Sequence, residues 1–161
     1  MKFAKAFLIC TFIFLGFSVF PQDIKKIKIT DLEKTIQESK APLILNFWAT
    51  FCIPCIEEIP YFEELSKKYN VELLLVSLDL QDFYPDKIKK FVVKNKFTAP
   101  IAWLDEYDAD YFCPKVDTSW SGAIPASLFI NNKTGYRKFI EDQLSKEKLE
   151  KVIAAMLGKD D

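Results

Sequence analysis

Phe47-Trp48-Ala49-Thr50-Phe51-Cys52-Ile53-Pro54-Cys55 is the stretch of this 161-residue chain that says most about its fold. The apolar run over residues 43–48 has the length and composition of a strand that is buried on both faces. A helical pattern follows over residues 53–69 and is interrupted by Pro60. The Cys-x-x-Cys spacing therefore falls between the end of a buried strand and the first turn of a helix.

This position suits thiol chemistry. The free N–H groups and the dipole at a helix N-terminus stabilise a thiolate at Cys52. Cys55 lies one turn further in, close enough to bridge Cys52 and shielded from solvent. Pro54 fits the first turn because its missing N–H is not needed there. A purely structural disulfide would close a very small loop and constrain the unfolded chain little, so the pattern predicts a redox-active pair.

The rest of the sequence alternates strand and helix patterns, which is typical of an α/β domain. Further strands are predicted over residues 24–29, 71–78, 99–104, 126–130 and 136–140. The last two are joined by a hairpin turn in which Gly135 takes a positive φ. Helices are predicted over residues 30–40, from residue 85 or 86, and over residues 145–157. Thr30 with Glu33 predicts a capping box for the first helix, and residues 105–121 predict a loop with a short helix.

Two further motifs lie at spacings that match a known family. Glu58-Ile59-Pro60 follows the second cysteine, and Ile124-Pro125 immediately precedes the predicted strand at residues 126–130. With the Phe-Trp-Ala-Thr-x-Cys-x-x-Cys stretch they resemble the thioredoxin superfamily, and within it the exported TlpA/ResA-like branch. The resemblance covers nearly all of the chain after its N-terminal segment. It implies an α/β thioredoxin-like fold, with a central mixed β-sheet and helices on both faces.

The resemblance also implies roles for individual residues. Cys52 would attack a substrate disulfide, and Cys55 would resolve the mixed disulfide that results. Pro125 would be cis and face the cysteine pair, while the backbone of Ile124 would pair with the substrate chain. Trp48 is expected to pack in the core and the neighbouring groove.

The sequence departs from the family pattern at two positions. Phe51 stands where most members have Trp, which alters the hydrophobic docking surface. Asn46 stands six residues before Cys52, where thioredoxin has a buried acid that handles the proton of the second cysteine. An amide cannot take up that proton, so Glu58 is the candidate substitute. The alternative is that Glu58 is an ordinary solvated carboxylate on the helix.

Residues 1–22 have the pattern of a secretory signal, with Lys2 and Lys5 before an uncharged apolar run over residues 6–19. Residues 23–161 would then form a single thioredoxin-like domain. An uncleaved membrane anchor is the alternative, because the Ala-x-Ala form of the cleavage site is missing. Export predicts the periplasm or the outer face of the cytoplasmic membrane, where disulfides form and persist.

Composition excludes several classes of function. The 22 basic and 23 acidic residues nearly cancel, which argues against a nucleic-acid binder. The absence of histidine excludes a Cys–His pair and removes the commonest nitrogen ligand for zinc or copper. Only Cys113 and carboxylates could complete a metal site around Cys52 and Cys55, so no metal and no cofactor are expected. Cys113 is expected to be a buried free thiol.

The leading hypothesis is a thiol–disulfide oxidoreductase that exchanges its Cys52–Cys55 pair with disulfides or dithiols of exported proteins. It is expected to act as a reductant and would then need a membrane thiol electron donor. A thioredoxin-fold binding or assembly module, such as a metallochaperone, is the alternative. A peroxiredoxin-type peroxidase ranks lower, because Arg137 lies far along the chain from the cysteine motif.

Overall fold

A computed structural model describes residues 23–159 and contains one six-stranded mixed sheet in the order β1-β4-β3-β2-β5-β6. The strands β1 to β4 run parallel, and β5 and β6 run antiparallel to their neighbours. The strands are β1 (Lys25–Ile27), β2 (Leu43–Trp48), β3 (Glu72–Ser77), β4 (Ile101–Leu104), β5 (Ala126–Asn131) and β6 (Tyr136–Ile140). The helices are α1 (Ile29–Glu38), α2 (Ile53–Tyr69), α3 (Asp86–Asn95), α4 (Ala109–Val116) and α5 (Lys146–Met156), with a 3₁₀ turn at Gln81–Phe83.

Helices cover both faces of the sheet, as the predicted α/β class requires. Apolar side chains of α2, α3 and α5 pack on one face, and those of α1 and α4 pack on the other. All six residues of β2 are buried, and successive side chains point to opposite faces. Ile44 and Trp48 therefore join the α2 side of the core, while Leu45 and Phe47 join the α1 side. Asn46 shares the parity of Ile44 and Trp48, which directs it toward α2.

The register of β2 places the beginning of α2 beside the beginning of β5. Ala126 pairs with Phe47, the last residue but one of β2. Residues that precede Ala126 therefore lie at the edge of the sheet where β2 ends and the cysteine loop begins. Parallel β3 also ends at this edge, because Ser77 pairs with Trp48. Three separate chain segments thus meet beside the Cys-x-x-Cys motif.

The predicted cap of α1 is wrong. The helix begins at Ile29 rather than after Thr30, and the backbone N–H of Lys28 donates to the carboxylate of Asp31 at 2.9 Å. Ile29 is 1% exposed, so it enters the core as the first helical residue instead of ending β1. The acid that closes this cap is therefore Asp31 and not Glu33. The helix ends at Glu38, two residues before the predicted end.

The remaining predicted elements are present with shifts at their ends. Gly135 has a φ of 73° in the turn between β5 and β6, as predicted. Residues 105–121 contain α4, which the side chain of Asp108 caps. Within residues 23–159 two proline peptide bonds are cis, the expected Ile124–Pro125 and also Tyr84–Pro85. The predicted signal segment, residues 1–22, lies outside the described residues, and no helix within residues 23–159 has the length and apolarity to cross a bilayer.

Candidate active site

The cysteine pair lies where β2 leads into α2. Cys52 occupies the position just before Ile53, the first helical residue. Cys52 and Cys55 form a disulfide with an S–S distance of 1.98 Å and a Cα–Cα separation of 5.3 Å. The sulfur of Cys52 also accepts a hydrogen bond from the backbone N–H of Cys55 at 3.3 Å. A helix N-terminal amide therefore points at the sulfur that the sequence predicts to be a thiolate in the reduced protein.

The surface around the disulfide is apolar and exposed on the Cys52 side. Cys55 is 0% exposed and Cys52 is 7% exposed, so only the first sulfur borders solvent. Phe51 and Ile53 flank Cys52 and are 67% and 69% exposed. Pro54 lies in the first turn of α2, as predicted. Exposed apolar side chains of this size beside a disulfide are suited to contact with a protein partner.

Trp48 lies in the core beneath the site and not at its rim. Its side chain is fully buried, and its ring lies 6.0 Å from the ring of Phe91 and 5.7 Å from that of Phe97, centroid to centroid. Within residues 23–159 its indole Nε1 has no hydrogen-bond partner. Trp48 therefore supports the end of β2 by packing, which agrees with the core part of its expected role.

Sequence reasoning missed Asp79, which holds the loop before Cys52. The carboxylate is buried and accepts hydrogen bonds from the backbone N–H of Thr50 at 3.1 Å and from the Thr50 hydroxyl at 2.6 Å. It also accepts from the hydroxyl of Ser77 at 2.8 Å. The available signal was topological: Asp79 follows a predicted parallel strand, and the carboxyl ends of such strands meet at one edge of a sheet.

Ile124 and Pro125 stand beside the cysteine pair at this same edge. Pro125 immediately precedes Ala126, whose partner in β2 is Phe47. Ile124 is partly buried and packs against the apolar cluster that contains Cys52 and Cys55. The structure thus brings the two predicted parts of the site together, although they are separated by about 70 residues of sequence.

Glu141 holds the loop that leads to Ile124, and no sequence pattern pointed to it. Its carboxylate accepts hydrogen bonds from the backbone N–H of Ser121 at 3.1 Å and of Ala123 at 2.9 Å. It also accepts from the hydroxyl of Ser121 at 2.5 Å. Burial alone would raise the pKa of Glu141, but these hydrogen bonds prevail and keep it below its usual value. The carboxylate is therefore ionised at neutral pH while it holds the loop.

Glu58 is buried, so its alternative assignment as a solvated helix carboxylate is wrong. The side chain is 0% exposed on the inner face of α2, one turn beyond Cys55. Its Oε1 accepts a hydrogen bond from Nδ2 of Asn46 at 2.8 Å, and its Oε2 accepts one from the backbone N–H of Leu144 at 2.8 Å. Burial raises the pKa of Glu58 from 4.5 to about 7, and the two hydrogen bonds oppose this only in part.

Asn46 links Glu58 to the strand that follows Pro125. Its Nδ2 donates to Glu58 and also to the hydroxyl of Ser127 at 3.1 Å. Asn46 and Ser127 are both 0% exposed, and their residues pair across β2 and β5. The Oδ1 of Asn46 has no hydrogen-bond partner among residues 23–159. The unpartnered oxygen of Asn46 therefore belongs to the amide that donates to Glu58, a carboxyl group whose pKa lies near neutrality.

Residues 141–144 contact three parts of this site. Glu141 holds the loop before Ile124, as described above. Nε2 of Gln143 donates to the backbone oxygen of Pro54 at 3.3 Å, in the first turn of α2. The backbone N–H of Leu144 donates to Glu58. One short connection between β6 and α5 therefore contacts the predicted substrate loop, the cysteine helix and the buried carboxyl group.

The structure does not bring the third cysteine of the domain into a metal site. Cys113 is a buried free thiol on α4, as expected, and burial raises its pKa to about 11. It packs on the α1 side of the sheet, whereas Cys52 and Cys55 belong to the α2 side. Within residues 23–159 no group of three or more Cys, Asp or Glu side chains lies close enough to hold a metal ion.

Comparison with known proteins agrees with this arrangement. A family model described as AhpC/TSA family matches residues 14–135. This chain belongs to the AhpC/TSA family. The family match spans β1 to β5 and therefore includes the cysteine pair, the Glu58 cluster and Ile124–Pro125.

Curated relatives of this AhpC/TSA protein are named thiol-disulfide oxidoreductase ResA. The one from Oceanobacillus iheyensis is 28% identical over 137 residues, which cover 80% of this chain and 60% of the relative. The one from Bacillus anthracis is 31% identical over 129 residues, which cover 78% of this chain and 66% of the relative. The chain thus spans somewhat less than two thirds of the length of these relatives.

Solved structures confirm the thioredoxin-like fold of this AhpC/TSA protein. The thioredoxin-related protein from Neisseria meningitidis serogroup B is 26% identical with a TM-score of 0.61, covering 77% of this chain and 91% of that one. StoA from Bacillus subtilis is 25% identical with a TM-score of 0.52, covering 72% of this chain and 84% of that one. The predicted thioredoxin-superfamily membership is therefore confirmed.

Proposed function

We propose that this chain is a thiol–disulfide oxidoreductase that reduces disulfides of exported proteins through Cys52 and Cys55. The observation that carries the proposal is the disulfide at the N-terminus of α2, with Cys52 bordering solvent and Cys55 buried behind it. The names of the curated relatives support the same activity. A bond that closes and opens between one accessible and one shielded sulfur is suited to exchange with a second protein.

In the reduced protein the Cys52 thiolate attacks one sulfur of the substrate disulfide. That S–S bond breaks, a Cys52–substrate disulfide forms, and the other substrate sulfur leaves as a thiolate and takes up a proton. Cys55 then loses its proton and attacks the sulfur of Cys52. The Cys52–Cys55 disulfide forms, and the second substrate sulfur leaves as a thiol. Two electrons and two protons pass to the substrate in all.

Glu58 supplies the base for the second step. It lies three residues after Cys55 on α2, a spacing that places the two side chains on one face of the helix. A pKa of about 7 leaves a substantial fraction of Glu58 ionised at neutral pH and able to accept the Cys55 proton. Glu58 and Cys55 are both 0% exposed, so bulk water does not compete with the carboxylate for the Cys55 proton.

Asn46 accommodates both protonation states of Glu58. With Glu58 ionised, Nδ2 of Asn46 donates to it, as the structure has it. With Glu58 protonated, turning the amide over presents the unpartnered Oδ1 to the new O–H and to the hydroxyl of Ser127. The amide cannot hold the proton itself, but it offers an acceptor to the acid that does. Asn46 is therefore a positioning residue for the proton transfer.

Export and partners form part of the proposal. The apolar segment before the domain acts as a secretory signal or an N-terminal anchor, and it places the domain in the periplasm or at the outer face of the cytoplasmic membrane. Each turnover leaves the pair oxidised, so a membrane thiol donor must return two electrons to it. Exposed Phe51 and Ile53 provide the apolar contact for both kinds of protein partner.

The test is equilibration of the purified protein in dithiothreitol or glutathione buffers, with the Cys52→Ser and Cys55→Ser variants as controls. A two-electron couple near about −270 mV supports a reductant, and one near about −120 mV would indicate an oxidant instead. Cys55→Ser should accumulate a mixed disulfide at Cys52, and Cys52→Ser should form none. The exchange function is overturned if the wild-type pair shows no reversible couple. If the protein turned over hydrogen peroxide faster than protein disulfides, it would be a peroxidase. If it retained copper and showed no disulfide exchange, it would be a metal carrier.

A further inference from the structure

A lysine-rimmed cleft opens beside the loop that carries Cys52. It has a volume of about 340 Å³ and lies between α3 and residue 50. Its apolar walls are the rings of Phe83 and Phe91, and its rim consists of Lys87, Lys90 and Lys94 with Thr50. These six residues are called the lysine cleft below. Thr50 is two residues from Cys52, so the cleft adjoins the candidate active site directly.

The three lysines form one face of α3 and have no acidic partner. They are spaced three and four residues apart, which places their side chains along one side of the helix. Among residues 23–159 none of the three makes an ion pair, whereas Lys89 on the same helix pairs with Asp23 at 3.1 Å. Like charges at this spacing destabilise a helix. Three uncompensated cations around one apolar cleft are therefore complementary to carboxylates of another molecule.

The aromatic walls of the cleft favour a ligand that is apolar in part and not a simple anion. The Nζ of Lys87 lies 4.5 Å from the centroid of the Phe83 ring, so it caps that ring from above. Phe91 is only partly buried and presents an aromatic surface next to it. The cleft therefore offers aromatic surface to an apolar side chain and lysines to neighbouring carboxylates. The matching ligand is a chain segment in which an apolar residue is flanked by Asp or Glu.

The position of the cleft relative to Cys52 is firmly set. Asp79 accepts hydrogen bonds from both the backbone N–H and the hydroxyl of Thr50, which fixes the loop between the cleft and Cys52.

The opposite side of the cysteine pair is acidic, with exposed Glu57 and Asp142 near the first turn of α2. Lys87, Lys90 and Lys94 thus lie on the α3 side of Cys52, and the two acids lie on the α5 side. A protein that crosses Cys52 with its acidic part toward α3 meets favourable charge, and the reverse orientation meets repulsion.

We propose that the lysine cleft docks an acidic, apolar-centred segment of the protein whose disulfide Cys52 attacks. The proposal rests on the exchange function proposed above and adds a substrate preference to it. Docking beside Cys52 raises the local concentration of the substrate disulfide and sets the orientation of its approach. The preference should appear in the second-order rate constant and should weaken as salt screens the lysines.

The test uses two synthetic peptides, each closed by one intramolecular disulfide and each containing one Phe. In the first peptide Asp and Glu flank the disulfide and the Phe, and in the second Asn and Gln replace them. The reduced protein is mixed with each peptide at low salt and at about 0.5 M salt, where the Debye length is only a few ångströms. Thiol trapping gives the rate constants. Neutral 2-hydroxyethyl disulfide is included to report the exchange reaction by itself.

The matched variants are the triple change Lys87→Gln, Lys90→Gln, Lys94→Gln and the control Lys133→Gln, Lys138→Gln, Lys151→Gln. The control removes the same charge from exposed lysines that lie outside the cleft. Wild type and control should reduce the acidic peptide about tenfold faster than the neutral one at low salt, and the ratio should approach one at high salt. The cleft variant should show a ratio near one at both.

Two results would overturn the proposal. One is an equal rate for both peptides with wild-type protein that still reduces 2-hydroxyethyl disulfide, since exchange then works without the preference. The other is a ratio that the cleft variant retains. Binding to phosphatidylglycerol vesicles or self-association that depends on the three lysines, without a peptide preference, would identify a different occupant. Failure to reduce any of the three disulfides would instead contradict the exchange function itself.

Discussion

Glu58 and Asp105 are both buried carboxyl groups, but their surroundings move their acidity in opposite directions. Asp105 accepts salt bridges from Nζ of Lys26 at 2.9 Å and of Lys28 at 3.0 Å, and these lower its pKa from 3.8 to about 2. Among residues 23–159 no cation lies beside Glu58, which receives two neutral hydrogen bonds. Burial therefore dominates and raises its pKa to about 7.

The difference separates a structural carboxylate from one that is poised for proton transfer. Asp105 lies at the end of β4, where its backbone N–H continues the pairing with Ile27, and it stays ionised at every physiological pH. Glu58 lies one turn from a cysteine and changes its charge near neutrality. Desolvation without a compensating cation is the feature to look for when a buried acid is assigned a chemical role.

The largest effect is expected from Glu58→Gln on the resolving step of exchange. Gln keeps the shape and one acceptor but cannot take a proton, so attack by Cys55 should slow by about 10²-fold. Attack by Cys52 should be nearly unchanged, and the mixed disulfide should accumulate. Rapid-quench thiol trapping with a peptide disulfide, from pH 5 to pH 9, measures both steps.

The comparison supplies the control for this experiment. Asp105→Asn removes a carboxylate that is also largely buried and should leave both exchange steps and their pH profiles as in the wild type. The inflection near pH 7 in the resolving step should be present in Asp105→Asn and absent in Glu58→Gln. An unchanged inflection in Glu58→Gln would assign the titration to another group and remove Glu58 from the mechanism.

A second effect concerns stability in the oxidised protein. The folded pKa of Glu58 is about 7 and its unfolded value is 4.5, so the folded state holds more protons than the unfolded state between these values. Stability from this group is complete below pH 4.5 and is lost as pH rises through 7. The difference between the folded and unfolded pKa values corresponds to a decrease in the free energy of unfolding on the order of 3 kcal/mol. Urea unfolding at several pH values should show this slope in wild type and not in Glu58→Gln, and an identical slope in both would contradict the assignment.

Glu141 is a third carboxylate to compare with Glu58 and Asp105. It is ionised at neutral pH like Asp105, but it lies at the candidate active site like Glu58. Glu141→Ala removes the acceptor for Ser121 and Ala123, which frees the loop before Ile124. The KM for a peptide disulfide should rise about tenfold. Asp142→Ala, which removes the neighbouring exposed acid, is the matched control. A change in the pH profile with no change in KM would contradict a role in holding the loop.

Asp105→Asn should have the smallest effect on exchange. It should lower the stability of the fold only. The folded pKa of Asp105 lies below its unfolded value, so its contribution to stability is present above pH 3.8 and is lost as pH falls through about 2. The variant should melt at a lower temperature than wild type at pH 7, and the difference should shrink in acid and in high salt. Thermal unfolding followed by circular dichroism measures this. A difference that grows below pH 3 would have the wrong sign for an ion pair with Lys26 and Lys28.

The sequence was sufficient to predict the parts of the site that depend on local pattern. A buried apolar run followed by Cys-x-x-Cys and a helical pattern placed Cys52 and Cys55 correctly at the start of α2. The resemblance to the thioredoxin superfamily, which Ile124–Pro125 helps to carry, correctly indicated a cis bond at the same edge of the sheet. Glu58 was selected by its helical spacing from Cys55, which is also local information.

The burial and the hydrogen-bond partners of these residues could not be predicted from the sequence. Whether Glu58 is solvated or buried depends on Asn46 and on Leu144, which lies 86 residues away along the chain. Asp79 and Glu141 act through backbone N–H groups of loops, and a donor of that kind leaves no mark in the pattern of side chains. The misplaced cap of α1 has a related cause, since burial of Ile29 outweighed the local preference of Thr30 for a cap position.

The connection at residues 141–144 joins the loop before Ile124 to the hydrogen bond that holds Glu58. A ligand that displaces Ile124 also displaces Ala123, whose backbone N–H donates to Glu141. Three residues after Glu141, the backbone N–H of Leu144 donates to the carboxylate of Glu58. Any displacement of Leu144 that weakens this hydrogen bond makes Glu58 a stronger base. Because such coupling is reciprocal, the charge on Glu58 must alter the affinity for substrate by the same factor that substrate alters its proton affinity. If substrate binding displaces Leu144 in this way, the protein holds its substrate more tightly once Glu58 has taken up the proton than before.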